Sequence, residues 1–330
     1  MKLLLAVYQE AITKSRKDLR GPHVLRVEHI TQIRRIAKDL EIVVTSQEKD
    51  AKRHIQDADI IAGFPMTIPP LGNAVNLKWI HSFSAGMDRV LTPEIVNSSV
   101  LCSNSSGIHK TPIAEHVIGF MLIFTRGFLK TIANQQKCLW QKDESITELF
   151  GKTVLIIGLG NIGSEVARLS HAFGAHIHAI SQEIREPLDF IKMVKKPSAM
   201  NRMLPKADFV ISCLPYTKET HHFFDLEKFK LMKPSAIFIN IGRGGLVHEK
   251  DLITGVKRKI IAGVALDVTE IEPLPRTSPL WKMPNVIITP HQSGLSEKYM
   301  DRAIERFCMN LGAFLADQPL PNMVDKKQGY

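Results

Sequence analysis

The sequence predicts an α/β protein with two open, doubly wound parallel sheets. Three observations support this prediction. Short apolar segments alternate with helical or polar stretches along the chain, which is the pattern of strands joined by crossover helices. The segment 154–163, VLIIGLGNIG, runs from an apolar stretch into a glycine turn, and a helical pattern follows. A length of 330 residues, 44% of them apolar, allows two domains with separate cores.

The N-terminal third predicts the smaller sheet. Its start, MKLLLAVYQE, has the basic residue and short apolar run of a signal peptide. No small-residue cleavage site follows, so we interpret it as a strand. A helix is expected at Thr31–Asp39, and this part has no phosphate-binding fingerprint. The predicted strands are Lys2–Val7, Glu41–Thr45, Asp59–Ala62, Lys78–Phe83 and Val100–Cys102.

A long apolar helix is predicted next, at Thr111–Thr131. Thr111 is a good N-cap, and Pro112 suits the first helical turn. Because the segment is apolar almost all round, we expect it to be buried between domains or between subunits. Its longest apolar run, Val117–Phe124, is too short to span a bilayer, so no membrane association is expected.

The remaining chain predicts the larger sheet and a closing helix. We expect that helix, Glu297–Phe314, to pack on the N-terminal unit. The prediction is therefore a discontinuous domain of residues 1–104 and 291–330, into which a second domain of residues 105–290 is inserted. The strands predicted for the larger sheet are Thr153–Ile157, Ala175–Ser181, Asp208–Leu214, Ala236–Ile241, Ile260–Asp267 and Val286–Thr289.

The glycine turn predicts a dinucleotide site in the inserted domain. Gly158 permits the tight turn, Gly160 lets the backbone approach a pyrophosphate, and Gly163 lets helix and strand pack closely. The dipole of the helix that begins there favours the negative charge. Residues 105–290 are thus predicted to form a Rossmann domain, and the discontinuous domain is left to bind the substrate.

Composition argues against several other functions. The net charge is +10, but Lys and Arg are interspersed with Asp and Glu and no RNA-binding signature occurs, so no nucleic-acid partner is expected. The cysteines (Cys102, Cys138, Cys213 and Cys308) form no CxxC pair, which favours a reducing, cytoplasmic location over disulfides or zinc. The histidines outside the predicted site lack metal-ligand spacing, so no metal is expected.

Charged side chains follow the predicted strands at the edge where ligands bind in such sheets. Arg243 offers a planar fork that grips a carboxylate, and His291 is an acid/base group suited to neutral pH. Glu272 would fix the tautomer of His291 and favour its imidazolium form. Asp267 also lies at a strand end. This set suits the reduction of a 2-oxo acid, in which hydride transfer to carbon is coupled to protonation of oxygen.

At this point the sequence resembles a known family. The motifs GLGNIG, INIGRGGLV, ALDVTEIEPLP and PLWKMPNVIITPH are similar, in order and spacing, to those of the D-2-hydroxyacid dehydrogenases. SFSAGMD at 82–88 and TPIAEHVIGFML at 111–122 match that family as well. The resemblance spans roughly residues 60–315. Within the family, the sequence most resembles the glyoxylate and hydroxypyruvate reductases.

The resemblance implies roles for particular residues. The catalytic triad would be Arg243, Glu272 and His291, with Asp267 near the nicotinamide. Backbone N–H groups of Ser84, Ala85 and Gly86 would bind the substrate carboxylate, together with Arg243 and His291. The residues implied to contact the cofactor are Gly158, Gly160, Asn161, Ile162, Gly163, Ser181, Leu214, Pro215, Ile241, Gly242, Arg243, Asp267 and His291.

The resemblance also implies a flavodoxin-like substrate domain and a homodimer joined largely through residues 111–131. The substrate-side loop GFPMTIPP at 63–70 has no Arg or Lys to hold a phosphate, which favours glyoxylate or hydroxypyruvate. A phosphoglycerate or bulkier D-2-hydroxyacid dehydrogenase is the alternative enzyme, and a dehydrogenase-fold corepressor is the alternative from another class. Trp140 either reaches the partner's active site or is an ordinary interface aromatic.

The cofactor is predicted to be NAD(P), with NADPH used at least as well as NADH. NAD-selective sites place an acidic residue after the second strand, where it binds the ribose hydroxyls. Here that residue is Ser181, which is uncharged. Arg185 and the cluster Lys192, Lys195 and Lys196 could bind a 2′-phosphate, whereas Glu183 would favour NAD.

Overall fold

The structure is a computed structural model that describes residues 1–7, 23–45, 47–72, 74–87, 89–183 and 188–327. The chain divides into two compact units, Met1–His109 with Leu295–Tyr330, and Lys110–Gly294. These limits lie a few residues beyond the predicted limits at 104 and 290. The assignment of the first unit to the substrate and of the second to the dinucleotide remains a prediction.

Strands and α-helices follow one another along the described residues in two groups, one for each unit. The first unit contains β1 (Lys2–Ala6), α1 (Val27–Ile36), β2 (Glu41–Thr45), α2 (Glu48–His54), β3 (Ile60–Gly63), β4 (Trp79–Ser82), α3 (Pro93–Val96) and β5 (Leu101–Asn104). The second contains α4 (Lys110–Thr125), α5 (Phe128–Gln136), β6 (Thr153–Ile157), α6 (Asn161–Ala172), β7 (His176–Ile180), β8 (Met193–Lys195), α7 (Met200–Met203), β9 (Phe209–Ser212), α8 (Leu226–Leu231), β10 (Ile237–Asn240), α9 (Glu249–Lys257), β11 (Gly263–Leu266) and β12 (Val286–Ile288). The chain then returns to the first unit with α10 (Tyr299–Leu315).

The first unit is a parallel sheet in the order β2-β1-β3-β4-β5, which is the flavodoxin-like order. The five strands predicted from apolar segments are present, with no end shifted by more than two residues. α10 belongs to this core, and its Phe307 stacks on Trp79 of β4 at 5.3 Å between ring centroids. The apolar positions predicted for this helix, Met300 to Leu311 at helical spacing, are buried.

The helix predicted at Thr31–Asp39 was placed wrongly. α1 begins four residues earlier, at Val27, and ends at Ile36. Its start is set by His29, whose Nδ1 accepts the backbone N–H of Arg26 at 3.0 Å. Histidine is not among the residues whose presence predicts a helix start. The prediction therefore missed the first turn.

The second unit is a seven-stranded parallel sheet in the order β12-β11-β10-β9-β6-β7-β8. β6 pairs with β9 at the middle of the sheet. From there β7 and β8 extend the sheet in one direction and β10 to β12 in the other, which is the Rossmann arrangement. The six predicted strands are all present. The prediction missed β8, an edge strand of three residues, because its alternating exposed side chains give no apolar run.

The single helix predicted at 111–131 is wrong: the segment forms α4 and α5, which meet at a 69° bend. Gly127 at the junction adopts a left-handed φ of 65°, which a continuing α-helix does not allow. α4 is largely buried, whereas α5 exposes Phe128 and Ile132, and Trp140 beyond it is fully exposed. The implied homodimer contact through this segment stays a prediction.

No single helix among the described residues has both the length and the apolar character needed to cross a bilayer. α4 and α5 reach that length only when counted together across their bend.

His81 of β4 is a fully buried imidazole inside the first unit. Its Nε2 lies 3.2 Å from Ser105 Oγ, whose hydroxyl donates to the Ser82 carbonyl, so Nε2 is the ring's donor. Its Nδ1 lies 2.7 Å from Ser103 Oγ, which accepts the indole N–H of Trp79 and can donate its hydroxyl to the ring. This chain of bonds suits the neutral ring with one N–H. Burial, followed by the positive charge of Arg306, lowers the pKa of His81 to about 3.

We expect His81 to make folding sensitive to acid. The unfolded chain takes up the proton near the ordinary pKa of 6.5, and the folded chain only near 3, so stability is lost as the pH falls between those values. The slope reaches about 1.4 kcal/mol per pH unit for one proton. Denaturant unfolding between pH 7 and pH 5 should show a shallower slope in His81→Asn than in the parent chain. The exposed His176→Asn is the control, and equal slopes in parent and His81→Asn would contradict the assignment.

Candidate active site

Parallel pairing brings the functional loops to one edge of the second sheet. The last residues of neighbouring strands are in register: Ile288 with Leu266, Leu266 with Asn240, and Asn240 with Ser212. Ile157 of β6 also pairs with Ser212. The loops that follow these strands therefore begin side by side, and they carry the predicted His291, Asp267 with Glu272, Arg243, Pro215 and Gly158.

His291 and Glu272 form a close pair. The ring Nδ1 lies 2.8 Å from Glu272 Oε2, while Glu272 Oε1 accepts the backbone N–H of Thr269 at 3.3 Å. A carboxylate can only accept, so Nδ1 carries the hydrogen and Nε2 is left to hold or release a proton. Both side chains are partly exposed, at 51% for His291 and 39% for Glu272, which leaves this pair open to a small ligand.

The backbone of His291 is held in an unusual conformation. Its φ is 50°, in the left-handed region that L-residues other than glycine seldom adopt. The His291 N–H donates to the carbonyl of Asp267 at 2.8 Å. The carboxylate of Asp267 accepts the hydroxyl of Thr289 at 2.6 Å, the N–H of Gln292 at 2.9 Å, and both the N–H and the hydroxyl of Ser293. The loop that carries His291 is thus fastened on both sides of the ring.

Asp267 is 2% exposed, and the described hydrogen bonds of its carboxylate are with this loop. The predicted role of Asp267 near the nicotinamide remains a prediction, and the structure adds its role in holding the loop.

His116 of α4 also contacts the loop that carries His291. Its Nε2 lies 3.1 Å from Thr289 Oγ1 and 4.0 Å from Asp267 Oδ1. Because Thr289 gives its hydrogen to Asp267, the ring of His116 is the donor to Thr289. Burial lowers the pKa of His116, although the Asp267 charge opposes this effect. No sequence signal connects two residues 173 positions apart, so this contact could not be predicted.

Arg243 lies in the turn after β10, and the buried Asn240 shapes that turn. The Asn240 side chain donates to the Arg243 carbonyl at 2.9 Å and accepts the Gly242 N–H at 3.2 Å. The Arg243 guanidinium donates to the Gly242 carbonyl at 2.9 Å. A Cβ at Gly244 would lie 1.8 Å from the Thr269 carbonyl oxygen, so the Arg243 loop lies directly against the Glu272 loop.

The glycine turn after β6 has the shape expected for a dinucleotide site. Gly158 has a φ of 100°, and a Cβ there would lie 2.7 Å from the Cys213 carbonyl oxygen. A Cβ at Gly163 would lie 2.1 Å from the Gly158 carbonyl oxygen, whereas a Cβ at Gly160 would meet nothing within 4 Å. Gly160 is also the N-cap of α6, so open space faces the positive end of the helix dipole. The residues present fit a pyrophosphate here.

Ser181 follows β7 beside this turn, where the Gly158 N–H donates to the Ile180 carbonyl at 2.9 Å. The Ser181 N–H donates to the carbonyl of Lys195, since β8 pairs with β7. The unpredicted strand therefore brings Lys195 and Lys196 next to Ser181. Arg185 lies outside the described residues.

In the first unit, the segment Ser84–Gly86 follows β4 and is half-buried. Its carbonyls accept hydrogen bonds from the end of β5 and the residue after it: Asn104 donates from its side chain to Ala85 at 2.9 Å, and the Ser105 N–H donates to Ser84 at 3.1 Å. The Ser84 N–H donates to Ser82 Oγ at 3.1 Å. The implied contact of this segment with a substrate carboxylate stays a prediction. Across the described residues, no cluster of His, Cys, Asp and Glu could hold a metal ion.

Comparison with known proteins places this site in a family. The family described as D-isomer specific 2-hydroxyacid dehydrogenase, NAD binding domain, matches residues 118–293, which is more than half of the chain. This chain belongs to the D-isomer specific 2-hydroxyacid dehydrogenase family. It is an NAD(P)-dependent oxidoreductase that acts on the CH–OH group of donors, as the resemblance implied.

Relatives of this dehydrogenase include a glyoxylate reductase from Thermofilum pendens, 32% identical over 77% of this chain and 76% of the relative. A D-3-phosphoglycerate dehydrogenase from Methanocaldococcus jannaschii is 30% identical over 88% of this chain, but over only 57% of its own length. A crystal structure of a D-isomer specific 2-hydroxyacid dehydrogenase family protein from Aeromonas salmonicida is similar in fold. It has a TM-score of 0.83 and 33% identity, with 98% of this chain and 99% of the other covered.

The open space at Gly160 predicts the effect of a single methyl group in this dehydrogenase. Gly160→Ala should fold normally, because the new Cβ meets nothing within 4 Å, but should weaken nicotinamide dinucleotide binding about tenfold or more by standing where the pyrophosphate approaches. Titration calorimetry with the dinucleotide measures this. Gly312→Ala in α10 is the control, since its Cβ also meets nothing within 4 Å. Equal dissociation constants for both variants would contradict a pyrophosphate at Gly160.

Proposed function

We propose that this enzyme reduces a small 2-oxo acid, glyoxylate or hydroxypyruvate, to the corresponding 2-hydroxy acid. The observation that carries the proposal is the 2.8 Å pair of His291 and Glu272, with Arg243 on the adjoining loop. An acid with its carboxylate partner and a cation with a planar fork are the groups that a 2-oxo acid requires. The glyoxylate reductase among the relatives supports the same substrate class.

The chain's own residues supply the proton chemistry of this reaction. A bound nicotinamide dinucleotide supplies the hydride that reaches the substrate carbon. His291, protonated on both ring nitrogens, gives the Nε2 proton to the substrate oxygen, and its Nδ1–H stays on Glu272. Glu272 accepts the Nδ1–H and keeps the ring in the orientation that points Nε2 away from the carboxylate. Oxidation of the hydroxy acid uses the same groups in reverse.

Arg243 binds the substrate carboxylate in this proposal. Two parallel N–H···O bonds from the guanidinium fix the plane of the oxo acid, which a lysine ammonium does not do. The turn built on Asn240 limits where the Arg243 backbone can lie. Binding by the carboxylate thus orients the reacting carbonyl before the proton moves.

We propose a small rather than a phosphorylated substrate. The loop at 63–70 carries no basic side chain, and its Thr67 hydroxyl is directed back to the carbonyl of Ala6. The phosphoglycerate dehydrogenase relative keeps the alternative open, since it is of similar identity. A panel of glyoxylate, hydroxypyruvate and 3-phosphohydroxypyruvate decides between them. The highest kcat/KM for the phosphorylated acid would overturn this part of the proposal.

The triad leads to a kinetic prediction. His291→Gln should lower kcat for reduction by about 10²-fold or more, because the acid is lost. Glu272→Gln should also lower kcat for reduction, because the amide does not hold the His291 ring as the carboxylate does. Stopped-flow absorbance of the reduced nicotinamide across pH 5–9 measures both. His176→Gln serves as the control, and near-parental turnover in His291→Gln would refute the role of this ring.

We also propose that NADPH serves at least as well as NADH. Two observations support this proposal. Ser181 is neutral, and the pairing of β8 with β7 places Lys195, and with it the next residue Lys196, beside Ser181. Ser181→Asp should shift the ratio of kcat/KM values towards NADH, because a carboxylate repels a 2′-phosphate and binds free ribose hydroxyls. The double variant Lys195→Ala/Lys196→Ala should lose activity with NADPH only, with exposed Lys230→Ala as its control. A preference of the parent for NADH above about tenfold, ~1.4 kcal/mol, would overturn the proposal.

A further inference from the structure

The loop that carries Glu272 also carries Glu270, which makes a contact that the proposed chemistry does not use. Glu270 Oε1 lies 2.6 Å from Nε2 of His222, a residue of the loop after β9. Glu270 Oε2 accepts the N–H of Glu249, the first residue of α9, at 3.2 Å. One carboxylate therefore joins the loop after β11 to two other parts of the same sheet edge.

His222 also contacts the Arg243 loop through its backbone. It has a left-handed φ of 50°, and its N–H donates to the carbonyl of Gly245 at 2.8 Å. Just beyond it, Phe224 forms an isolated parallel bridge with Val247. His222 is thus the point where the loops after β9, β10 and β11 meet.

Electrostatics and stacking keep this contact in one geometry. Burial raises the pKa of Glu270, but the bonds from His222 and from the Glu249 N–H outweigh it, so the pKa lies below its usual value. The pKa of Glu249 is raised by burial and by repulsion from Glu270. The ring of His222 stacks on His221 at 3.8 Å between centroids, which limits its rotation. Both His222 and Glu270 are about one-third exposed, at 31% and 32%.

We infer that His222 is a positioning residue: through Glu270 and Gly245 it fixes the Glu272 loop relative to the Arg243 loop. The inference rests on the proposed function only in naming Glu272 and Arg243 as the groups that act on the substrate. A histidine suits the task because the fixed ring directs Nε2 at the carboxylate while the left-handed backbone directs the N–H at Gly245. Gly244 packs so closely against the Thr269 carbonyl that no Cβ would fit between them. A shift of one loop would therefore displace the other.

The first test measures the loops without enzyme turnover. Hydrogen–deuterium exchange of peptides covering 243–248 and 267–272 should rise about tenfold in His222→Ala and return towards the parent in His222→Gln, whose amide can donate to Glu270. The control is Glu227→Ala, which breaks an exposed pair with Lys230 inside α8 and joins no loops. Unchanged exchange in both loops of His222→Ala would overturn the inference.

The second test measures catalysis at a temperature where all variants are folded. His222→Ala should raise KM for the 2-oxo acid and lower kcat, with about a tenfold fall in kcat/KM, while the dinucleotide dissociation constant is kept. Glu270→Ala should lower kcat/KM at least as far, because it also removes the bond to the Glu249 N–H, and the double variant should be no worse than Glu270→Ala alone. A purely structural role would lower the melting temperature and leave kcat, KM and the pH profile at parental values, and that result would also overturn the inference.

Failure of the proposed function is distinguishable from failure of this inference. A parent enzyme that reduces none of the 2-oxo acids would overturn the proposed substrates, and the exchange measurement would still decide whether His222 holds the loops. A parent that reduces them, with loops and kinetics unaffected by His222→Ala, would leave the proposed function standing and remove His222 from it.

Discussion

The candidate active site depends on the hydrogen bonds that the buried carboxylate of Asp267 accepts. A charge with 2% exposure is costly unless hydrogen bonds replace its water, and here the donors are Thr289, Gln292 and Ser293. These donors lie on both sides of His291, so their hydrogen bonds to Asp267 also fix the loop that carries His291 and its left-handed backbone. Loss of a donor would leave part of the charge unpaired, which costs about 1–3 kcal/mol.

The strand order places the glycine turn and the predicted catalytic residues on two different halves of one sheet edge. The glycine turn and Ser181 follow the adjacent strands β6 and β7, while Arg243, Glu272 and His291 follow the neighbours β10, β11 and β12. Divergence of the chain at β6 and β9 opens the edge between these halves. In the proposed function, a cofactor bound at the turn would lie along the same sheet edge as Arg243, Glu272 and His291.

Burial distinguishes two histidines of this protein. The ring of His81 is fully buried, and burial lowers its pKa to about 3, while one donor and one acceptor suit the neutral ring. The ring of His291 is 51% exposed beside Glu272, so water and a small ligand can reach it.

The sequence by itself determined the strands, the glycine turn and the strand-end residues Arg243, Glu272 and His291, because apolar runs and glycine spacing are local signals. It did not determine the break at Gly127, the edge strand β8 or the start of α1 at Val27, where a turn, sheet pairing or a histidine cap decides the outcome. The contacts of His116 with Thr289 and of His222 with Glu270 join residues 173 and 48 positions apart. Only the packing of the folded loops creates such contacts, so they could not be predicted from any local sequence pattern.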